Sequence, residues 1–195
     1  MKYKTLGKTS QGLYKEKGSK FLSFAFPIAT EEEAHSHLAE LRKQYHDARH
    51  HCYAYLIGKN KDTYRANDDG EPNHSAGDPI LGQIRSNDLT NVLVAVVRYF
   101  GGTKLGVGGL IQAYRMAAAE AIKNNEIIES EDQHILKIAC GYLDLNEVMK
   151  IVKDLHLTIA SQTFEEGCQM VVVVNDSQRE TSVSRFLSIA GLRIF

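Results

Sequence analysis

Apolar residues recur along this chain with two periods, and the switches between them mark out its elements. From residue 3 to 28 the pattern predicts two strands around a polar turn, Lys15-Glu16-Lys17-Gly18, with Phe24, Phe26 and Ile28 keeping a period of two. Thr30 followed three residues later by Glu33 is a capping box. Behind it Ala34, Leu38, Leu41 and Tyr45 form one helical stripe. His50 to Ile57 alternates again, with Tyr53, Tyr55 and Ile57 on one side. The tip Gly58 to Asp62 predicts a hairpin returning through Thr63, Tyr64 and Arg65. Residues 67–79 (NDDGEPNHSAGDP) carry a single apolar side chain, Ala76, and are expected to form a long irregular loop before a short helix through Ile80, Leu81 and Ile84. An unbroken apolar run, Val92 to Val97, predicts a strand buried on both faces. It leads through Arg98, Tyr99 and Phe100 into a glycine-rich turn. A helix is expected from about Gly108, with Leu110, Ala113, Tyr114, Ala117, Ala118, Ala121 and Ile122 along one stripe.

Asn124 and Asn125 end that helix, and the charged stretch Glu129 to Gln133 reads as a bridge between domains spanning 1–130 and 131–195. The second half gives a strand (Ile135 to Ala139) and a helix with Val148, Ile151, Val152 and Leu155 in phase. Two strands follow, Leu157 to Phe164 and Gln169 to Val174, joined at Glu165, Glu166 and Gly167. A second helix is expected to bury Val183, Phe186, Leu187 and Ala190 and to close at Gly191, before a last strand from Leu192 to Phe195. The order βαββαβ defines a ferredoxin-like domain.

Charge changes the picture little. The net charge is −1, which excludes attachment to nucleic acid or acidic lipid by bulk charge, so any basic surface is local. Residues 1–130 hold 17 Lys/Arg against 15 Asp/Glu, and residues 131–195 hold 6 against 9. Three scattered cysteines (Cys52, Cys140, Cys168) make neither a disulfide framework nor a metal clip. With no apolar signal core and no membrane-length apolar stretch, a reduced, cytoplasmic chain with no membrane partner is expected.

The chemistry concentrates in two loops. The first holds Gly101, Gly102, Gly106, Gly108 and Gly109, whose spacing fits neither the dinucleotide fingerprint nor the Walker A loop. It still offers free amides, a helix start and the cations Arg98 and Lys104, which suit the phosphate of a nucleotide or an RNA backbone. Tight packing of the turn is the alternative. The second loop supplies Asp68, Asp69 and Glu71. It lacks the spacing of an EF-hand, so it serves as a solvated turn or, at most, holds magnesium together with a bound phosphate; no other cofactor and no metal centre is expected. On a strand His50 and Cys52 share a face and His51 points away, leaving no zinc set, although His74 could approach them in space. Tyr53, Tyr55, Tyr99 and Phe100 could stack bases beside Arg49 and Arg98 if they faced outward, and otherwise fill a core.

Four stretches, SKFLSFAFPI (Ser19 to Ile28), DARHHCYAY (Asp47 to Tyr55), DDGEPNHSAGDPIL (Asp68 to Leu81) and RYFGGTKLGVGGLIQAY (Arg98 to Tyr114), resemble the IMPACT family in its bacterial, YigZ-like branch. Ser75 stands where threonine is frequent. The resemblance covers essentially the whole chain and implies an α+β fold of two α/β sandwich domains. The first is similar to domain IV of elongation factor G, and the second to its ferredoxin-like domain V. It thereby implies a role facing RNA or the ribosome. Eukaryotic members carry an extra N-terminal domain that competes for the activator of the general-control kinase. This chain begins at the shared domain, so that partner is not expected. The family supplies no catalytic residues.

The sequence therefore supports a non-enzymatic regulatory or accessory protein of translation, contacting structured RNA or a ribosomal surface. Arg98, Lys104 and the glycine-loop amides would hold phosphate, with Asp68, Asp69, Glu71, His74, Arg49 and His51 as cleft candidates. The alternative is an enzyme that binds a nucleotide or phosphate ligand and uses the Asp68–Pro79 loop.

Overall fold

A computed structural model describes residues 2–164 and 167–195, and they form two compact units, Tyr3–Ser130 and Lys2 with Glu131–Phe195. In the first unit, strands β2 (Ser10–Glu16), β3 (Ser19–Pro27), β4 (His50–Ile57), β5 (Thr63–Asn67) and β6 (Val92–Tyr99) make a five-stranded sheet in the order β2-β3-β6-β4-β5, antiparallel throughout. The central strand β6 is apolar on both faces because both are covered. Val92, Val94 and Val96 pack with α2 (Gly77–Ser86) and α3 (Gly106–Lys123). Leu93, Ala95 and Val97 pack with α1 (Glu31–Gln44). The capping box starts α1, with Thr30 Oγ1 accepting from the Glu33 amide at 3.2 Å and the Glu33 carboxylate accepting from the Ala29 amide at 2.6 Å.

Four expectations for this unit change. The first 28 residues hold three strands, since β1 (Lys2–Leu6) precedes β2. The β2–β3 turn shrinks to Lys17 and Gly18, both at positive φ, a two-residue loop whose twist suits a hairpin. The charged stretch read as a bridge is partly strand β7 (Ile127–Glu131), which pairs with β1. Its exposed Ile127 and Ile128 gave no buried stripe to read. Finally, α3 begins two residues early, at Gly106, because the glycines there contribute nothing to an apolar stripe.

The second unit has β8 (Gln133–Cys140), α4 (Leu145–Asp154), β9 (Thr158–Thr163), β10 (Cys168–Asn175), α5 (Arg179–Leu187) and β11 (Arg193–Ile194). Its antiparallel sheet runs β11-β8-β10-β9, the ferredoxin-like order. Leu136, Ile138, Met170, Val172 and Val174 face α4 and α5. The join expected at Glu165 and Glu166 lies outside the described residues. Helix α5 buries Ser182 and Phe186, and Ile189 just beyond its end is buried as well, whereas Leu187 and Ala190 are exposed. The buried positions follow the helical spacing i, i+4 and i+7, and Leu187 falls out of that phase.

Gly101 is among the glycines that the first unit cannot replace. A Cβ on Gly101 would collide with the carbonyl carbon of Gly18 and the nitrogen of Ser19, so the end of β6 can meet the β2–β3 turn only without a side chain. Gly108, by contrast, has open space around it. Gly101→Ala is therefore expected to lose about 3 kcal/mol or more in urea denaturation. Gly108→Ala should gain about 0.5–1 kcal/mol by relieving the entropy of a helical glycine.

Candidate functional site

The site is organised by a charged pair that the fold buries. Arg98, near the end of β6, places its Nη1 2.5 Å from Glu71 Oε1, with both side chains almost wholly enclosed. The Tyr114 hydroxyl, from α3, donates to the same carboxylate oxygen at 2.8 Å. The Arg98 guanidinium lies over the rings of Phe21 and Phe100, at 5.5 and 5.8 Å. Cys52 joins on β4, its Sγ lying 3.0 Å from the Asp68 carbonyl oxygen and 3.3 Å from Tyr114 Oη, two acceptors that share its one S–H. Burial pushes the Cys52 thiol and the Tyr114 phenol far above their ordinary values, so neither supplies an anion at neutral pH. A loop, two strands and a helix thus meet on one polar cluster.

The acidic loop is likewise committed to structure. Asp68 accepts from the amides of His74, Ala76 and Gly77 at 2.8–2.9 Å and so caps α2 from a distance. Burial works to raise the Asp68 carboxyl, but these three amides prevail and hold it below its usual range. Asp69 accepts from Arg42 Nη2 at 3.1 Å and from the His51 amide at 2.7 Å. His51 is buried on the α1 face with its Nε2 unpaired, and desolvation keeps it neutral. His50 Nδ1 contacts the Asp69 carbonyl at 2.9 Å. His74 is exposed and pairs with Asp78 at 2.6 Å, in a groove of about 420 Å3 that also includes Gln83 and Arg115. Arg49 is exposed just before β4. Among the described residues no group of three His, Cys, Asp or Glu is placed to hold a metal ion.

These positions correct two sequence readings. Arg98 is a buried partner of Glu71 instead of a surface clamp, because a loop 27 residues earlier in the chain supplies its counter-charge. Tyr53 and Tyr55 are core residues and cannot stack bases, whereas Phe100 is exposed and Tyr99 half-exposed.

The glycine turn itself lies open. Residues 101–104, including Lys104, are exposed, as are Gly106, Val107 and Gly108. Gly102 and Gly106 have positive φ. Helix α3 has no side-chain cap and no acid in its first turn, so its leading amides face outward with the positive end of the helix dipole. The Gly18–Gly101 contact places the β2–β3 hairpin against this turn, and with it the exposed Lys15, Lys17 and Lys20. Leu13, Lys15, Lys20, Leu22, Tyr99 and Phe100 line a shallow hollow of about 480 Å3 there. The nearby Asp47 accepts a hydrogen bond from Tyr99 Oη at 2.7 Å. Sequence reading missed the three lysines because they lie some 80 residues from the glycines. Strand polarity was the available signal: β3 starts where its antiparallel partner β6 ends, pairing Lys20 with Tyr99.

This is the chemistry of an open, amide- and lysine-rich surface on an α/β unit, set over a closed polar core. The Impact N-terminal domain family matches residues 17–122, a span that contains all four signature stretches. The chain is 31% identical over 160 residues to the IMPACT family member YvyE of Bacillus subtilis, across 82% of this chain and 74% of that protein. It is 36% identical over 109 residues to the IMPACT family member YigZ of Escherichia coli, across 55% of this chain and 53% of that one. A crystal structure of a hypothetical protein shares the fold, with a TM-score of 0.75 at 22% identity over 100% of this chain and 96% of that one. The chain belongs to the IMPACT family.

Arg98→Met, which leaves Glu71 buried without its counter-charge, is expected to cost about 3–5 kcal/mol in chemical denaturation. The double variant Arg98→Met/Glu71→Leu should recover most of that loss. Asp68→Ala is expected to cost about 2 kcal/mol at neutral pH. Because the folded Asp68 carboxyl is held below its ordinary value, its contribution is complete above about pH 4 and is lost as pH falls through the folded value. The gap between the parent and Asp68→Ala should therefore narrow in denaturation series run below pH 4.

Proposed function

We propose that this protein is a non-enzymatic regulatory or accessory factor of translation. It acts in the cytoplasm by holding structured RNA or a ribosomal surface on its glycine-rich turn. The observation that carries the proposal is the exposed, uncapped start of α3 beside the hairpin lysines. Lys15 and Lys20 line one hollow with the exposed Phe100, and Lys17 and Lys104 are exposed in the two turns that meet at Gly18 and Gly101. Phosphate oxygens fit such donors, and an exposed ring fits an unstacked base. Family membership and the resemblance to elongation factor G domains support the same reading. The near-neutral net charge requires a contact set by shape and a few phosphates.

An enzyme built on the Asp68–Pro79 loop has less to work with. Asp68, Asp69 and Glu71 each hold a structural partner, and the Cys52 thiol stays protonated. Nor does a magnesium ion or other cofactor form part of the proposed contact. Among the described residues no helix is long and apolar enough to cross a membrane.

The triple variant Lys15→Gln/Lys20→Gln/Lys104→Gln is expected to bind ribosomes or a structured RNA more weakly in sedimentation assays. It should reduce the slope of log affinity against log salt by about 2–3, at about 0.7–0.9 per lost phosphate contact. Its melting temperature should match the parent's, since all three side chains are exposed. Unchanged binding would place the contact elsewhere, and a nucleotide-dependent thermal shift in the absence of RNA binding would favour the enzymatic reading.

A further inference from the structure

The ferredoxin-like unit carries a second surface of distinct chemistry. Helices α4 and α5 cover one face of its sheet. The other face presents Ile135, Lys137 and Ala139 from β8, Gln169, Val171 and Val173 from β10, and Arg193 from β11. Phe195 follows β11, its amide donating to the Lys137 carbonyl at 2.8 Å, and its side chain is 74% exposed. Lys137, Ser161, Thr163, Gln169, Val171 and Phe195 line a hollow of about 510 Å3 on this face.

Charge is sorted across the unit. Residues 131–195 have a net excess of acids, yet none of the strands β8 to β11 contains an Asp or Glu. The open face therefore combines two cations, Lys137 and Arg193, with one prominent ring and three polar side chains. Among the described residues, Asp132 and Asp176 sit at the Gln133 end of the sheet, where Asp176 pairs with His134 at 2.9 Å. An open sheet with an exposed ring, scattered hydrogen-bonding groups and cations is suited to unpaired bases. A base stacks on the ring, hydroxyl and amide groups meet its edge, and the cations meet phosphates. A partner protein buried here would have to desolvate those same polar groups and both charges, which a polyanion neutralises.

We propose that this sheet face binds single-stranded nucleic acid, with one base on Phe195 and phosphates at Lys137 and Arg193. The proposal extends the RNA-binding reading but uses a different surface, so the two fail separately.

The test is fluorescence anisotropy of the full chain with labelled 12-residue oligouridine and oligoadenine across a salt series. Phe195→Ala should weaken binding at least about fivefold with the salt slope unchanged, and Phe195→Tyr should restore it. Lys137→Gln/Arg193→Gln should lower the salt slope by about 1.4, at about 0.7 per phosphate on a single strand. The Lys15, Lys20 and Lys104 triple variant should still show both of these effects when the second-unit substitutions are added to it. Absence of oligonucleotide binding, or binding unaffected by both sets of second-unit substitutions, overturns the proposal. If Phe195→Ala leaves oligonucleotide binding intact but turns a dimer into a monomer by light scattering, the face joins two copies of the chain and the proposal is likewise overturned.

Discussion

The first unit depends on the ion pair between Arg98 and Glu71. A charged pair this enclosed is costly to desolvate, and it is retained only where its geometry and its additional hydrogen bonds compensate. Here Tyr114 shares the Glu71 carboxylate, and the rings of Phe21 and Phe100 flank the guanidinium. The pair joins elements that are remote in sequence: the acidic loop, the end of the central strand and the middle of α3. Its position just before the glycine turn explains how a chain of flexible residues leaves the sheet from a fixed point.

The glycines then divide their work. Gly101 lets the turn touch the hairpin at Gly18, which brings lysines from the start of the chain to the start of α3. Gly102 and Gly106 take positive φ, so the backbone reverses and enters the helix. Gly108 meets no neighbouring atom, so packing gives no reason for a glycine there. A bare first turn does, however, leave its amides open to a bulky anion. The two readings of the turn, packing and anion binding, therefore belong to different glycines of one segment.

Much of this architecture was legible in the sequence. The alternation in Tyr53 to Ile57, the capping box at Thr30 and the βαββαβ order fix local geometry by short-range rules, and the structure follows them. Strand β7 was hidden because its isoleucines are exposed and its neighbours charged. Leu187 misled because an apolar residue one position out of phase reads as core. The site was harder to read for a different reason. Arg98 beside a loop looks like a surface cation until Glu71 is placed against it, and no local pattern encodes a pairing between a strand end and a loop. The hairpin lysines were visible as residues, but their proximity to the glycines follows only from the β3–β6 register.

Within the IMPACT family, the proposed contact is one surface, the start of α3 together with the β2–β3 turn, receiving a phosphate-bearing partner. Hydrogen exchange of the full chain, with and without ribosomes or structured RNA, is the decisive experiment. Slowed exchange is expected in the amides of residues 102–109 and of the segment 15–20. Slowed exchange confined to other parts of the chain would rule this surface out.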